Sequence, residues 1–204
     1  LLVMTLAGSL AAALSACAPV VLGSAVMGTV VATDRRTSGA QLEDEGIELR
    51  AGSRIRENVG ERVHVNVTSY NRRVLLTGEV PNQQDKQLVE SIVSKVDNVQ
   101  SVVNELAIAS ISTLSQRSSD VVITGRVKAG MIDAKDLVSS AFKVVTERGT
   151  VYLLGRVTQR EATRATEIAR SATGVQKVVR VFETISEDEL RSMLPQPAPA
   201  EAKK

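Results

Sequence analysis

Leu14, Ser15, Ala16 and Cys17 are the residues of this chain whose types and spacing point most directly to chemistry. Leu at the third place before a Cys, with two small residues between, is the bacterial lipobox. Cys17 is the only cysteine in 204 residues. Its thiolate is a strong nucleophile, suited to take up a diacylglyceryl group. The small residues before it let a signal peptidase hold the backbone extended and cut beside the modified sulfur. Leu1 to Ala13 carries no charge and reads as the apolar core of a secretory signal over residues 1–16. The chain starts without Met or a basic segment, so its extreme N-terminus reads as missing. Cys17 also has a plainer reading as a buried thiol. Leu1 to Val31, free of charge, could instead be an uncleaved anchor, since about 20 apolar residues span a bilayer. The complete four-residue match, and the Gly, Ser, Thr and Pro residues that interrupt the run after Cys17, favour lipidation. Ala18 follows the Cys where Asp would favour inner-membrane retention, which points to the outer membrane. Acyl chains contribute about 0.8 kcal/mol per buried CH₂, so a lipidated Cys17 holds the protein at a membrane whatever the rest does.

Composition excludes several functions. One Cys rules out an intramolecular disulfide and any Cys-based zinc site. A single His, His64, leaves little for metal or triad chemistry. Aromatics at 2% argue against stacking platforms for single-stranded nucleic acid. A net charge of +2 gives no electrostatic case for nucleic-acid binding. The sequence contains no nucleophile–base pair, metal-ligand set or phosphate loop, and Gly-x-Val after a strand is too short to count as one. The expectation is a non-enzyme with no cofactor.

The elements behind the lipobox form an internal repeat. Val74-Leu75-Leu76-Thr77-Gly78-Glu79-Val80 matches Val151-Tyr152-Leu153-Leu154-Gly155-Arg156-Val157, with Gly78 and Gly155 lying 77 residues apart. Each copy opens with a helix, carried by Ile47, Ala51, Ile55 and Val59 in one and by Ile123, Val127 and Met131 in the other. A strand follows in which Val63, Val65 and Val67 alternate with His64, Asn66 and Thr68, which puts His64 on the polar, exposed face. A hairpin at Tyr70-Asn71 or Arg148-Gly149 leads to a second strand. Gly78 and Gly155 mark a bulge or a close backbone approach. Arg72-Arg73 reads as a solvated turn. The second helix is capped by Asn82 with Asp85, or by a capping box of Thr158 with Glu161. Its faces are Leu88, Val89, Ile92 and Val96, and Ala162, Ala165, Ile168, Ala169 and Ala172, with Gly174 placed to end the later helix. A third strand, Val99 to Ile108 or Val175 to Ile185, closes each unit. A helix between two strands implies a right-handed crossover and parallel pairing. The fold class is therefore α+β: two tandem domains, each helix-strand-strand-helix-strand, with a three-stranded mixed sheet and two helices on one face. Two domains this small are expected to lean on each other.

The boundaries follow. Residues 17–43 are the lipidated N-terminus and a linker, in which Arg35 and Arg36 are either a solvated hinge or a basic pair that meets anionic headgroups. Residues 44–109 and 119–185 are the two domains. Residues 110–118 are a polar connection, and 186–204, with Pro195, Pro197, Pro199 and a Lys203-Lys204 end, read as a disordered tail.

The repeated Gly78 and Gly155 after an apolar strand, and Gly174-Val175-Gln176-Lys177-Val178-Val179, resemble the BON domain. Two copies behind a lipobox, with Asp34-Arg35-Arg36-Thr37 and Gly39-Ala40-Gln41 before the first, resemble the dual-BON outer-membrane lipoproteins, the division- and outer-membrane-stress-associated lipid-binding family. The resemblance implies association with anionic phospholipid such as phosphatidylglycerol, mainly through the first helix of the second domain, and support of envelope integrity from the periplasmic side of the outer membrane. Carried over, that helix is Asp120 to Met131. The aromatic that enters lipid in enterobacterial members falls on Val122, and valine buries less area and lacks the interfacial preference of Trp.

On that helix Ile123, Val127 and Met131 belong to the core. Val121, Val122, Thr124, Arg126 and Lys128 lie on the other sides. Apolar residues beside two cations suit a shallow headgroup contact, and a plain solvated face is the alternative. Gly125 weakens the helix by about 1 kcal/mol relative to Ala. The competing function is a periplasmic interaction module that docks on envelope-assembly or peptidoglycan-associated proteins. Protein partner, lipid species and oligomeric state are not legible in the sequence.

Overall fold

The computed structural model describes residues 34–193. The lipobox, Cys17 and the Pro-rich C-terminal stretch lie outside the described residues. Among those described, no helix is long and apolar enough to cross a membrane.

The first unit runs α1 (Ser38–Val59), a 3₁₀ turn (Gly60–Arg62), β1 (His64–Tyr70), β2 (Arg73–Val80), α2 (Gln83–Ser94), β3 (Ser101–Asn104) and β4 (Ala107–Ile108). The second runs α3 (Leu114–Asp133), a 3₁₀ turn (Ser139–Ala141), β5 (Lys143–Glu147), β6 (Thr150–Val157), α4 (Gln159–Ser171) and β7 (Lys177–Thr184). A short α5 (Glu187–Met193) follows. The expected order therefore recurs in both units. β1 pairs antiparallel with β2, and β5 with β6. The strand after each crossover helix pairs parallel to the middle strand. In the first unit that third strand breaks at Glu105-Leu106 into β3 and β4, both on β2, and Leu106 drops into the core.

The four-residue spacing predicted for the first helices is the buried spacing: Ile47, Ala51, Ile55 and Val59 in α1, and Ile123, Val127 and Met131 in α3. In α2 the buried apolar residues are Val89 and Val93, followed by Val96 just past the helix end, and Leu88 sits exposed on its flank, not on the apolar face. Gly78 holds φ +112°, and a Cβ there would lie 2.1 Å from the His64 carbonyl oxygen; at Gly155 it would lie 2.5 Å from that of Ala141. Both glycines mark the close backbone approach that their repeat implied.

The middle strands are buried on both faces. Val74, Leu76 and Val80 face α1 and α2, and Val151, Leu153 and Val157 face α3 and α4. Between them, Leu75 and Tyr70 of one sheet pack against Tyr152, Leu154 and Val181 of the other. The two sheets therefore meet back to back, with the helices outside. Consecutive apolar residues in a strand are the mark of burial on two faces, and Val74-Leu75-Leu76 carries it.

Three stretches depart from the sequence reading. Ser38 to Gln41 is the first turn of α1, capped by the Thr37 hydroxyl, which accepts from the Ala40 N–H at 3.1 Å. Half of the expected connection 110–118 is helix, because Thr113 and Gln116 form a capping box at the start of α3. The expected tail begins with α5, where Ser186 accepts from the Glu189 N–H at 3.0 Å and Leu190 is buried. In each case a Ser or Thr cap three residues ahead of its partner supplies the helix start that apolar periodicity alone does not reveal.

Candidate functional site

α3 presents two opposite faces. Ile123, Val127 and Met131 point into the second core. At 100° per residue, Leu114, Val121 and Ile132 fall within about 20° of one line, directly opposite Ile123. They are 81%, 71% and 69% exposed, and Val122 beside them is 51% exposed. Single exposed apolar residues need no explanation, but a line of them along one helix does. Lys128 borders this line and makes no side-chain hydrogen bond or ion pair among the described residues.

The expected contact residues separate. Val121, Val122 and Lys128 lie on the exposed side. Arg126 lies further round, and its guanidinium donates to the Thr173 carbonyl at 2.9 Å. Thr124 turns inward, its hydroxyl donating to the Thr146 hydroxyl at 2.7 Å. Leu114 and Ile132, beyond the segment carried over from the family, extend the apolar line in both directions.

Asp120 ties α3 to the hairpin turn of its sheet. The Asp120 carboxylate accepts from the backbone N–H of Arg148 and of Gly149, both at 2.8 Å. Those two residues form the β5–β6 turn with φ of +51° and +72°. Asp44 of α1 does the same in the first unit, accepting from Asn71 N–H at 2.7 Å and Arg72 N–H at 2.8 Å. Burial opposes the charge on Asp44, but hydrogen bonds from Ser69, Arg72, Arg36 and Asn71 outweigh it and hold the carboxyl below its ordinary value. This clamp repeats 76 residues apart in the sequence. An acid ahead of the apolar stripe, at matching places in both copies, is the signal that could have found it. The turn itself is Asn71-Arg72, and Arg73 opens β2 and donates to the Phe182 carbonyl at 3.1 Å, so this pair is not a freely solvated turn.

Arg35 and Arg36 are neither hinge nor headgroup contact. Arg35 forms a two-pronged pair with Glu161 of α4, at 2.7 and 2.8 Å, with both side chains nearly buried. Arg36 pairs with Asp34, and with Asp44 at 2.8 Å, and lies 4.2 Å over the Tyr70 ring. Burial opposes the charge on Glu161, but Arg35 and the Thr158 N–H hold its carboxyl below its ordinary value.

His64 is also not simply exposed. It stands directly across the β1–β2 ladder from Glu79. Its Nδ1 lies 2.9 Å from Glu79 Oε2. Glu79 is fully buried, and its other oxygen accepts from Arg148 at 3.3 Å. Ser112 donates to it at 3.3 Å. Burial works against the Glu79 charge, but these partners, His64 first, keep its carboxyl below its ordinary value. Glu147, 7% exposed, approaches from the second sheet and accepts from Asn66 Nδ2 at 2.9 Å. Burial, together with the Glu79 charge, pushes the Glu147 carboxyl upward, only partly offset by Asn66. Ligand atoms of His64, Glu79 and Glu147 lie within 4.8 Å of one another. His64 and Glu147 line a cavity of about 410 Å³, together with Asn66, Arg117, Asp120 and Thr124.

Two tandem units of helix-strand-strand-helix-strand, packed through their sheets, with an exposed apolar line on the first helix of the second unit, define a two-domain α+β protein. The BON domain matches residues 43–110 and 119–185, and the chain belongs to the BON-domain family and, within it, to the outer membrane lipoproteins. The match indicates no catalytic family. Outer membrane lipoprotein DolP of Haemophilus influenzae is 37% identical over 171 residues, covering 83% of this chain and 89% of that one. A 21 kDa hemolysin of Actinobacillus pleuropneumoniae is 30% identical over 151 residues, 73% of this chain and 78% of its own. Among solved structures, CdsD, a structural protein of the type III secretion system of Chlamydia trachomatis, has a TM-score of 0.30 at 12% identity, over 78% of this chain and 99% of that one.

Proposed function

We propose that this protein is a non-enzymatic envelope lipoprotein, anchored through Cys17, whose second domain binds anionic phospholipid through the exposed side of α3 and so supports envelope integrity. The observation that carries this reading is the apolar line Leu114, Val121 and Ile132, opposite the core face of the same helix. A helix lying in the headgroup region needs such a stripe, with cations beside it. Val121 and Val122 enter the lipid, Lys128 meets the phosphates, and Arg126 reaches them from the flank. Thr124 is not a contact in this arrangement, because it is held by Thr146.

The anchor and the helix divide the work. Acyl chains on Cys17 give the residence at the membrane, since each buried CH₂ contributes about 0.8 kcal/mol. The α3 contact then sets orientation and lipid preference. Flotation of the Cys17→Ser chain with phosphatidylglycerol vesicles and with phosphatidylcholine vesicles tests it. Binding is expected to anionic vesicles only, and V121D with V122D is expected to abolish it without changing the circular dichroism. Binding that ignores lipid charge, or survives the double substitution, defeats the reading. Intact-mass analysis of the mature protein checks the anchor.

A second reading, docking on envelope-assembly or peptidoglycan-associated proteins, is favoured by a different surface. Leu42 and Leu49 of α1, seven residues apart, are exposed on one side of that helix. L42D with L49D separates the two: it leaves vesicle binding intact and removes any protein contact made there.

A further inference from the structure

We propose that His64, Glu79 and Glu147 form a binding site for one divalent transition-metal ion of the Zn²⁺ class, placed where the two sheets meet. The set is one imidazole and two carboxylates, the donor types such ions take. It draws on both domains, since His64 and Glu79 come from the first sheet and Glu147 from the second. The ligand atoms already lie within 4.8 Å of one another. Bonds of about 2.0–2.2 Å to a shared ion require a closure of only about 1 Å. The cavity of about 410 Å³ beside His64 and Glu147 gives both the path of entry and room for water in the remaining coordination positions.

Two further features set this cluster apart from a chance group of acids. Each carboxylate is held from behind, as ligating carboxylates are. Arg148 lies on Glu79 Oε1, Oε2 faces His64 and also accepts from the Ser112 hydroxyl at 3.3 Å, and Asn66 orients Glu147. The charge balance also calls for a cation. Two buried carboxylates face each other, and Arg148 directly meets only one of them. Arg117, at the cavity wall, is turned to the Ser112 hydroxyl at 3.1 Å. The ion would tie the two domains together at a point beside α3.

The test is calorimetric titration of the untagged full chain carrying Cys17→Ser, which removes the only thiol, with ZnCl₂ and separately with MgCl₂. One Zn²⁺ per chain is expected, no comparable binding of Mg²⁺, and a higher melting temperature with Zn²⁺. His64→Gln and Glu147→Gln are each expected to weaken Zn²⁺ binding by at least about tenfold. Asp136→Asn, a surface acid outside the cluster, is expected to leave it unchanged. Glu147→Gln keeps the shape and the Asn66 contact, so it guards against a loss caused by misfolding, checked by circular dichroism. Absence of saturable Zn²⁺ binding, or equal affinity in both cluster variants and the parent, overturns the proposal.

Discussion

Asp120 and Asp44 each accept two backbone N–H groups from a hairpin turn, and so each holds a helix to its hairpin through one carboxylate. Asp120→Ala leaves both turn donors without that acceptor in a buried place. Hydrogen bonds to charged groups contribute about 1.5–3 kcal/mol each, so a loss of roughly 3 kcal/mol is expected in urea unfolding, with Asp120→Asn intermediate. Glu147 acts in the opposite sense. Its folded affinity for a proton is raised, so its contribution to stability is present below the ordinary Glu value and lost as pH rises through the raised one. Glu147→Gln is therefore expected to raise the metal-free melting temperature at pH 7 by a few degrees. The parent and variant curves should converge as the pH approaches 4. Asp44 and Glu161 have depressed values, so their contribution is present above the ordinary carboxylate range and lost as pH falls through the folded values. Acid unfolding should therefore begin below about pH 4, and Glu161→Gln should flatten that limb of the profile.

Among the elements, α3 has to serve two surfaces at once. Its core face is short-spaced and regular, while its outer face carries apolar residues in water and a glycine. A Cβ at Gly125 would meet nothing within 4 Å. Gly125→Ala is expected to stabilise the protein by about 0.5–1 kcal/mol, read from thermal or urea unfolding. β2 gives the contrasting case. At Gly78, with φ +112° and the His64 carbonyl 2.1 Å from an added Cβ, alanine must shift the β1–β2 ladder. Gly78→Ala is expected to cost more than Gly125→Ala gains, and to disturb the His64–Glu79 pair that spans the same ladder.

At the scale of the whole molecule, the two domains share a cluster of Tyr70, Leu75, Tyr152, Leu154 and Val181. Cutting them apart exposes this face, so each half alone is expected to be less stable than the pair and to associate. Differential scanning calorimetry of the intact chain should show one cooperative transition; two separated transitions would mean that the sheets do not act as a unit. Arg35 reinforces the contact from outside the first domain, through its buried pair with Glu161. Removing one partner of a buried pair typically costs about 3–5 kcal/mol. Arg35→Ala is therefore expected to lower unfolding stability by about that amount, and the double variant with Glu161→Gln should recover part of the loss.

Local pattern was enough to read the order of elements, the core stripes of α1 and α3, the hairpins and the two special glycines. Each depends on residues close in sequence: helical spacing, strand alternation, turn chemistry. The BON resemblance draws on the same repeated segments, and its narrowing to the dual-BON lipoproteins on the lipobox and the Asp34-Arg35-Arg36-Thr37 motif. The helix starts at Ser38, Leu114 and Glu187 also had local signals in their caps, but no apolar period accompanied them. What tertiary structure alone decided is whatever joins distant residues. Arg35 meets Glu161 from 126 positions away, and Asn66 meets Glu147 from 81. His64 lies on the face that alternation makes polar, and there it meets Glu79 of its own sheet and Glu147 of the second. Strand alternation assigns a residue to a face, but what that face meets is fixed by the packing of the other domain.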